Sequence, residues 1–393
     1  MELQELQRIR DDFPALRNYT WFQNGGVSLT PVPVHAQYVR LLQEIHERGP
    51  MHIVCPDEEL PRRRHTIERL ARFFSVDAGE LALMRGVSEA FQTVLRGLAW
   101  QRGDQIVVTS NEESAVLLPV LQLRDRYGVE VVQVPLADTA GGQVEAAVRA
   151  FTGRTKLVAL SHVGTDFGYR MPVLPICEAA RQRGILTFLD LAQSAGLFPL
   201  SVRELGCDFA GVLSYKWMYG PYAAGFLFVR QERLDDLQVT YAGGRSQQWL
   251  DFETHRYALH ESAERFQYGP WAWPLVHAWA TAPSYLAGIG LDAIWRRTVA
   301  LTTRLKRGLK EIPGCTLWTP EAPELSATLV SFSVAGFAGT RLSAALRERW
   351  NIAIKPVKRG PMDGVRASLP FFLLEAEVDG LLAAIRTLAS EKR

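Results

Sequence analysis

Seven short apolar runs recur through the first two thirds of the chain, and several lack polar alternation. They are Leu81 to Met84, Gln105 to Thr109, Val129 to Val134, Lys156 to Ser161, Leu186 to Leu189, Phe209 to Leu213 and Gly225 to Val229. Strands apolar on both faces fit a sheet covered by helices on both sides. Helical patterns lie between most of them, such as Ser88 to Ala99 and Leu174 to Arg183. This order predicts an α/β three-layer sandwich with a mostly parallel seven-stranded sheet. In such sheets the working groups gather at the carboxyl ends of the strands. Gly86, Glu112, His162, Asp190 and Lys216 all fall at or just past those ends, which points to one site.

From Leu237 to Trp279 the pattern breaks into an aromatic stretch containing Gly243-Gly244 and Arg265 to Trp271. A helix-rich segment (Ile289 to Ile312), a strand (Ala327 to Val334), a helix (Thr340 to Trp350), the run Ile352 to Pro356 and a last helix (Glu375 to Leu388) follow. The expected division is an N-terminal arm (1–20), a large domain (21–280) and a small α+β domain (281–393). A length of 393 residues gives ample core for both domains.

Composition narrows the function classes. Hydrophobic content of 47% and charged content of 22% are those of an ordinary globular protein. A net charge of +2, with only short basic clusters at Arg62-Arg63-Arg64 and Lys358-Arg359, argues against nucleic acid. Cys55, Cys177, Cys207 and Cys315 lack metal-ligand spacing and read as core residues in a reducing compartment, so no metal is expected. Without a signal-peptide pattern or a membrane-length apolar run, the expectation is a cytoplasmic protein with no membrane partner.

Lys216 is one of only seven lysines, in Ser214-Tyr215-Lys216-Trp217 between two apolar strands. A lysine at a buried strand end is costly unless its charge is used or removed. Asp190 ends an earlier apolar strand. An acid that holds a pyridinium nitrogen and a lysine that forms a Schiff base are the pair pyridoxal 5′-phosphate (PLP) needs. The freed lysine amine would then move the Cα proton. Taken singly, Asp190 also reads as a strand-end cap and Lys216 as a snorkelling surface lysine. Gly86-Val87-Ser88, after a strand and opening a helix, supplies backbone N–H groups and a hydroxyl for a phosphate. Alone it is equally an ordinary N-cap. Gln193, three residues past Asp190, is placed to bond the ring 3′-oxygen.

The runs Phe188 to Gln193 and Ser214 to Pro221 resemble the class V aminotransferase superfamily of fold-type-I PLP enzymes, its isopenicillin N epimerase and cysteine desulfurase-like members included. The resemblance spans nearly the whole chain. It implies that Asn24 and Gly25, in Asn24 to Pro31, line the substrate pocket, and that Thr165, in Ser161 to Gly168, touches the ring oxygen. It implies that Tyr215 contacts the phosphate and that Arg366 clamps the substrate α-carboxylate. Lys355 and Arg359 are the alternative cations for that clamp, read from the sequence and not from the resemblance. A bidentate guanidinium–carboxylate pair is a sound physical reason for that arginine. It also implies a homodimer, with Gly243-Gly244 and the segment Arg265 to Pro270, Gly269 included, reaching towards the partner's cofactor.

Three departures stand out. Where the family stacks an aromatic or histidine on the ring, this chain has Glu112-Glu113-Ser114. Glu113 is therefore a candidate acid or base, or a contact for a basic substrate group, unless the loop is shifted and both acids face solvent. Pro270 replaces the threonine that commonly follows this glycine. The loop between Ile354 and Arg366 has no cysteine, and a desulfurase needs a thiolate there, so the resemblance is to the non-desulfurase branch. The expected reaction at Cα of an amino acid is amino-group transfer, with β-elimination (C–S type) or epimerisation as alternatives. A non-catalytic PLP-fold binding or regulatory protein is the reading from another class. The acidic pair and the aromatics Phe266, Tyr268, Trp271 and Trp273 suggest a substrate larger than alanine.

Overall fold

The computed structural model describes residues 2–391, apart from the side chains of His52 and Ile53; Met1 of the expected arm and residues 392–393 of the expected small domain lie outside it. All seven expected strands form. They are β1 (Leu81–Met84), β2 (Gln105–Thr109), β3 (Glu130–Val134), β4 (Thr155–Ser161), β5 (Leu186–Asp190), β6 (Phe209–Leu213) and β7 (Gly225–Val229). Their order across the sheet is β1-β7-β6-β5-β4-β2-β3. Strand β7 runs antiparallel to β1 and β6, and every other pair is parallel.

The missing alternation has a direct cause. On β2, Ile106 and Val108 join the core beneath the helices Val87–Gly97 and Ser114–Tyr127, while Val107 joins the core on the opposite face. Both faces are dry, so both are apolar.

After β7 the aromatic stretch contains a hairpin of β8 (Gln247–Asp251) and β9 (Arg256–Leu259). The small domain is a four-stranded antiparallel sheet of β10 (Cys315–Leu317), β11 (Leu329–Val334), β12 (Lys355–Arg359) and β13 (Met362–Ser368), in the order β10-β11-β13-β12. The helix-rich segment from Ile289 to Ile312 is one helix, Leu291–Lys310, which Gly290 at φ +90° separates from the helix Ala282–Ile289 before it. One local expectation is corrected. The expected loop between Ile354 and Arg366 is the hairpin β12–β13, turning at Gly360 with φ +54°.

The N-terminal helix Leu3–Asp11 docks on the other end of the chain. Arg10 Nη1 donates to Phe372 O at 2.7 Å and forms an ion pair with Glu377 at 2.9 Å. Thr20–Trp21 pairs with Ile352–Ala353, and Phe22 is buried in the small-domain core. Residues 20 to 22 thus pair with the small domain. Among the described residues no helix is long and apolar enough to cross a membrane.

Close approach of β7 to the loop after β1 sets up the site. A Cβ on Gly225 would lie 2.3 Å from Val212 O and 3.0 Å from Gly86 Cα. Gly225→Ala is expected to destabilise the protein by about 1–3 kcal/mol through overpacking. A lower urea midpoint at constant m checks this; an unchanged midpoint would mean that the loop yields without strain.

Candidate active site

The carboxyl ends of β1, β2, β4, β5 and β6 converge on a cavity of about 520 Å³. Lys216, Asp190, Glu113, Thr165, Tyr215 and the Gly86-Val87-Ser88 turn line it. Asp190 stands at the end of β5, with Lys216 following β6 beside it and Glu113 following β2 on its far side.

Burial and mutual attraction set the charges. Burial pushes the Asp190 carboxyl up to about 6, against the pull of the Lys216 charge and a hydrogen bond from Ala192 N at 2.8 Å. Burial draws the Lys216 amine down to about 8; Asp190 resists this and Arg366 adds to it. A lysine near 8 is a usable base and nucleophile close to neutral pH.

The helix Val87–Gly97 opens on the cavity, and its first N–H groups have no partner within the helix. Gly86 precedes it at φ 153°, ψ −173°, a conformation open essentially to glycine. Tyr215 lines the same end, stacked on Tyr222 at 4.3 Å between centroids. An oxyanion cradle, a carboxyl for a ring nitrogen and a nucleophilic lysine therefore share one cavity, so the residues present fit PLP.

Arg366 comes from β13 and is fully buried. Its Nε donates to Ser368 Oγ at 3.1 Å and its Nη1 to Thr165 O at 3.0 Å, while Nη2 has no partner. Burial pulls even this guanidinium down to about 10. Lys355 is its cross-strand partner on β12, and burial followed by repulsion from Arg366 lowers its amine. Arg359 is engaged elsewhere, donating to Ser110 O at 2.7 Å and pairing with Asp166 at 3.5 Å.

Other candidates sit differently from their sequence impression. The Gln193 amide is fully occupied: Nε2 donates to Gly25 O at 2.8 Å and Thr165 Oγ1 at 3.2 Å, and Oε1 accepts from Trp217 Nε1 at 2.8 Å. Gln193 thereby fixes the Asn24-Gly25 loop; a Cβ on Gly25 would fall 2.7 Å from Ser368 Oγ. Asn24 is buried, with Nδ2 3.4 Å from Lys216 O and Oδ1 without a partner. The two acids divide. Glu113 caps the helix Ser114–Tyr127, accepting from Ala115 N at 2.7 Å, and lies on the cavity wall. Glu112 is buried beneath it, bonded to Thr109 Oγ1 at 2.6 Å and Ser161 Oγ at 2.7 Å, and pushed by burial up to about 7. His162 turns into the core, edge-on to Phe198 at 5.6 Å, and burial lowers it to about 3.

Gly269 lies on a separate cavity of about 980 Å³ with Arg63, Arg245 and His260, not on the Lys216 pocket. Of the aromatics, Phe266 and Trp273 are core, whereas Tyr268 and Trp271 lie against Arg85 at the pocket mouth. Trp217, Ser368 and Asp166 carry site interactions that the sequence reading passed over. Each had a signal of position: Trp217 directly follows Lys216, Asp166 directly follows Thr165, and Ser368 lies two residues past Arg366.

The profile of the family described as Aminotransferase class-V matches residues 58–381. The chain is 30% identical over 338 residues to isopenicillin N epimerase of Streptomyces clavuligerus, covering 82% of this chain and 84% of that one. It is similar to the solved apo structure of a cysteine desulfurase from Thermococcus onnurineus NA1, with a TM-score of 0.90 and 26% identity over 100% of this chain and 99% of that one. It is similar also to the cystine C–S lyase C-DES in complex with cysteine persulfide, with a TM-score of 0.88 and 26% identity over 95% and 99% of the two chains. Another structure of C-DES carries glycine covalently linked to its PLP.

Only a neutral amine bonds an aldehyde. The rate at which the PLP-free protein takes up PLP should therefore rise about tenfold per pH unit up to about 8 and flatten above it. Stopped-flow absorbance of the Schiff-base band measures this, and a rate that falls between about pH 6 and 8 would contradict the assignment of Lys216.

Proposed function

The chain belongs to the Aminotransferase class-V family, whose cofactor is PLP, and from that premise we propose that it is an amino-acid epimerase. The observation that carries this reading is the pair of proton-handling groups, Lys216 and Glu113, on one cavity with Asp190 between them. Inversion at Cα needs a base on one face and an acid on the other.

Asp190 would hold the ring nitrogen, and the N–H groups of Gly86, Val87 and Ser88, with Tyr215, the phosphate. Lys216 would hold the cofactor covalently, and Thr165 would lie against the ring oxygen with Gln193 bracing it. When bound, PLP draws electrons away from Cα and so makes its proton acidic. Arg366 would present Nη2 to the substrate α-carboxylate, with Lys355 beside it and the Asn24-Gly25 loop closing the pocket. Once the substrate amine has displaced it, Lys216 Nζ would take the proton from Cα on its face, and the Glu113 carboxylate would relay a solvent proton to Cα from the other. The product has inverted configuration, and solvent returns Lys216 and Glu113 to their starting states.

A second reading is β-elimination, supported by the likeness to a cystine C–S lyase. Among the described residues no cysteine lines the cavity, and Cys177 and Cys207 are core residues whose thiols burial pushes up. That argues against sulfur transfer through a protein thiolate. Amino-group transfer, the first expectation from sequence, has less support, since the relatives compared are an epimerase, a desulfurase and a lyase. We further propose a cytoplasmic homodimer whose Gly269 segment meets the partner, which is consistent with four free cysteines and with the large cavity beside Gly269.

Glu113→Gln should slow inversion by roughly a hundredfold or more. Exchange of the Cα proton in deuterated water should continue with retention. Chiral chromatography with mass detection across an amino-acid panel follows both. An undiminished inversion rate would remove Glu113 from the mechanism, and release of an α-keto acid with ammonia would select elimination. Arg366→Lys keeps charge but loses the fork, so KM for α-amino acids should rise about tenfold to a hundredfold. Steady-state kinetics decide this, and an unchanged KM would place the carboxylate clamp elsewhere.

A further inference from the structure

A further cleft lies where the two domains meet, and the chemistry above makes no use of it. It encloses about 570 Å³ between Arg170, on the loop after β4, the helix Leu291–Lys310 and the segment leading into β11. Three observations mark it as built for a ligand.

Arg170 is half-buried, with its guanidinium 4.9 Å from the Phe198 ring centroid and 5.7 Å from that of Trp295. Among the described residues no carboxylate pairs with it, and burial alone lowers its pKa. The two rings lie to one side of the guanidinium, their centroids 5.0 Å apart, and leave its remaining N–H groups for other partners. Lys306 reaches only neutral oxygens, Pro320 O at 2.6 Å and Ser326 Oγ, and burial draws its amine down to about 8. Thr302, on the same helix, is 5% exposed and its Oγ1 has no hydrogen-bond partner. The acids on this wall are Glu321, already paired with Lys310 at 2.7 Å, and Glu324. Arg170 without a carboxylate partner, Lys306 bonded only to neutral oxygens though within the field of Glu321, and Thr302 with its unused hydroxyl thus line one cleft.

We propose that this cleft binds a small molecule through an oxyanion, a carboxylate or a phosphate, held by Arg170 and Lys306 with Thr302 as a further donor. Such a ligand joins the two domains. Arg170 sits on the strap that holds the large domain to the small one: Ala327 N donates to Gly168 O at 2.9 Å, Tyr169 bridges Ser326, and Ser331 Oγ bonds Asp166 O. Occupancy therefore fastens a junction whose other end, Thr165 O, accepts from Arg366.

The test uses the PLP-loaded protein, so that the cofactor's phosphate site is filled. Thermal unfolding is followed with inorganic phosphate in one arm and citrate in another, against sodium chloride at matched ionic strength. A saturable rise in Tm with either anion, absent with chloride, is expected; the arm that responds identifies the oxyanion. Lys306→Gln and Arg170→Gln should weaken binding roughly tenfold to a hundredfold, the loss of one charge-assisted hydrogen bond each. Arg366→Ala should leave it intact. Thr302→Val, nearly isosteric, keeps the test open if Arg170→Gln does not fold. No saturable shift in either arm, or a shift that survives Lys306→Gln but is lost in Arg366→Ala, would overturn the proposal.

Discussion

A fully buried guanidinium whose Nη2 has no partner organises this molecule. Arg366 sits on the small-domain strand β13 yet donates across the domain boundary to Thr165 O, and Nη2 finds no partner. An unsatisfied buried donor costs roughly 1–3 kcal/mol, more when charged. The chain offsets that through what surrounds the arginine. Ser368 steadies Nε, Gly25 leaves room for Ser368, and Gln193 braces Gly25, Thr165 and Trp217 at once. The domain junction, the Asn24-Gly25 loop and the anchor of Lys216 through its neighbour Trp217 are thus one connected set of bonds around Nη2. In the proposed function a substrate carboxylate would satisfy Nη2, which would concentrate binding energy at this point.

How much of this is legible in the sequence depends on periodicity. The seven strands were readable because a doubly covered sheet forbids polar residues on either face, and Ile106, Val107 and Val108 show both faces in use. Residues at strand ends were readable as a group, since parallel strands deliver their carboxyl ends to one edge. Their directions were not. Glu112 and Glu113 are neighbours in sequence, yet one is buried between Thr109 and Ser161 while the other caps a helix at the cavity wall. His162 stands at the same edge and turns into the core. A single-residue step decides face, and nothing in composition fixes the step past the last paired residue.

The hairpin β12–β13 was hidden for another reason. Pro356, Gly360, Pro361 and Gly364 all read as loop residues. Yet β12 is an edge strand, where a proline without an N–H is tolerated, and Gly360 supplies the left-handed turn. The consequence is functional. As a hairpin, this segment holds Lys355 opposite Arg366 and lets Arg359 reach Ser110 O and Asp166, which a free loop would not do. Gln193 shows the same limit: its spacing from Asp190 marked it as a ring contact, but not the three partners from distant loops that its amide holds.

Charge balance gives the carboxylate over the pocket a role beyond any single proton transfer. Lys216, Lys355 and Arg366 bring three cations to this region, and Asp190, Asp166 and Glu113 bring three acids. Each cation is drawn below its ordinary pKa by burial, and Glu113 is among the charges that oppose the shift in all three. An aromatic ring at position 113 would stack on a cofactor but would leave that cationic wall less compensated. Glu113 therefore exchanges stacking for an electrostatic counterweight placed where a substrate must enter. The same carboxylate, whose negative charge favours a charged Arg366, stands across Asp190 from Lys216. In the proposed reaction, binding and proton transfer at Cα would thus draw on one side chain, whose field acts on the first and which relays a solvent proton in the second.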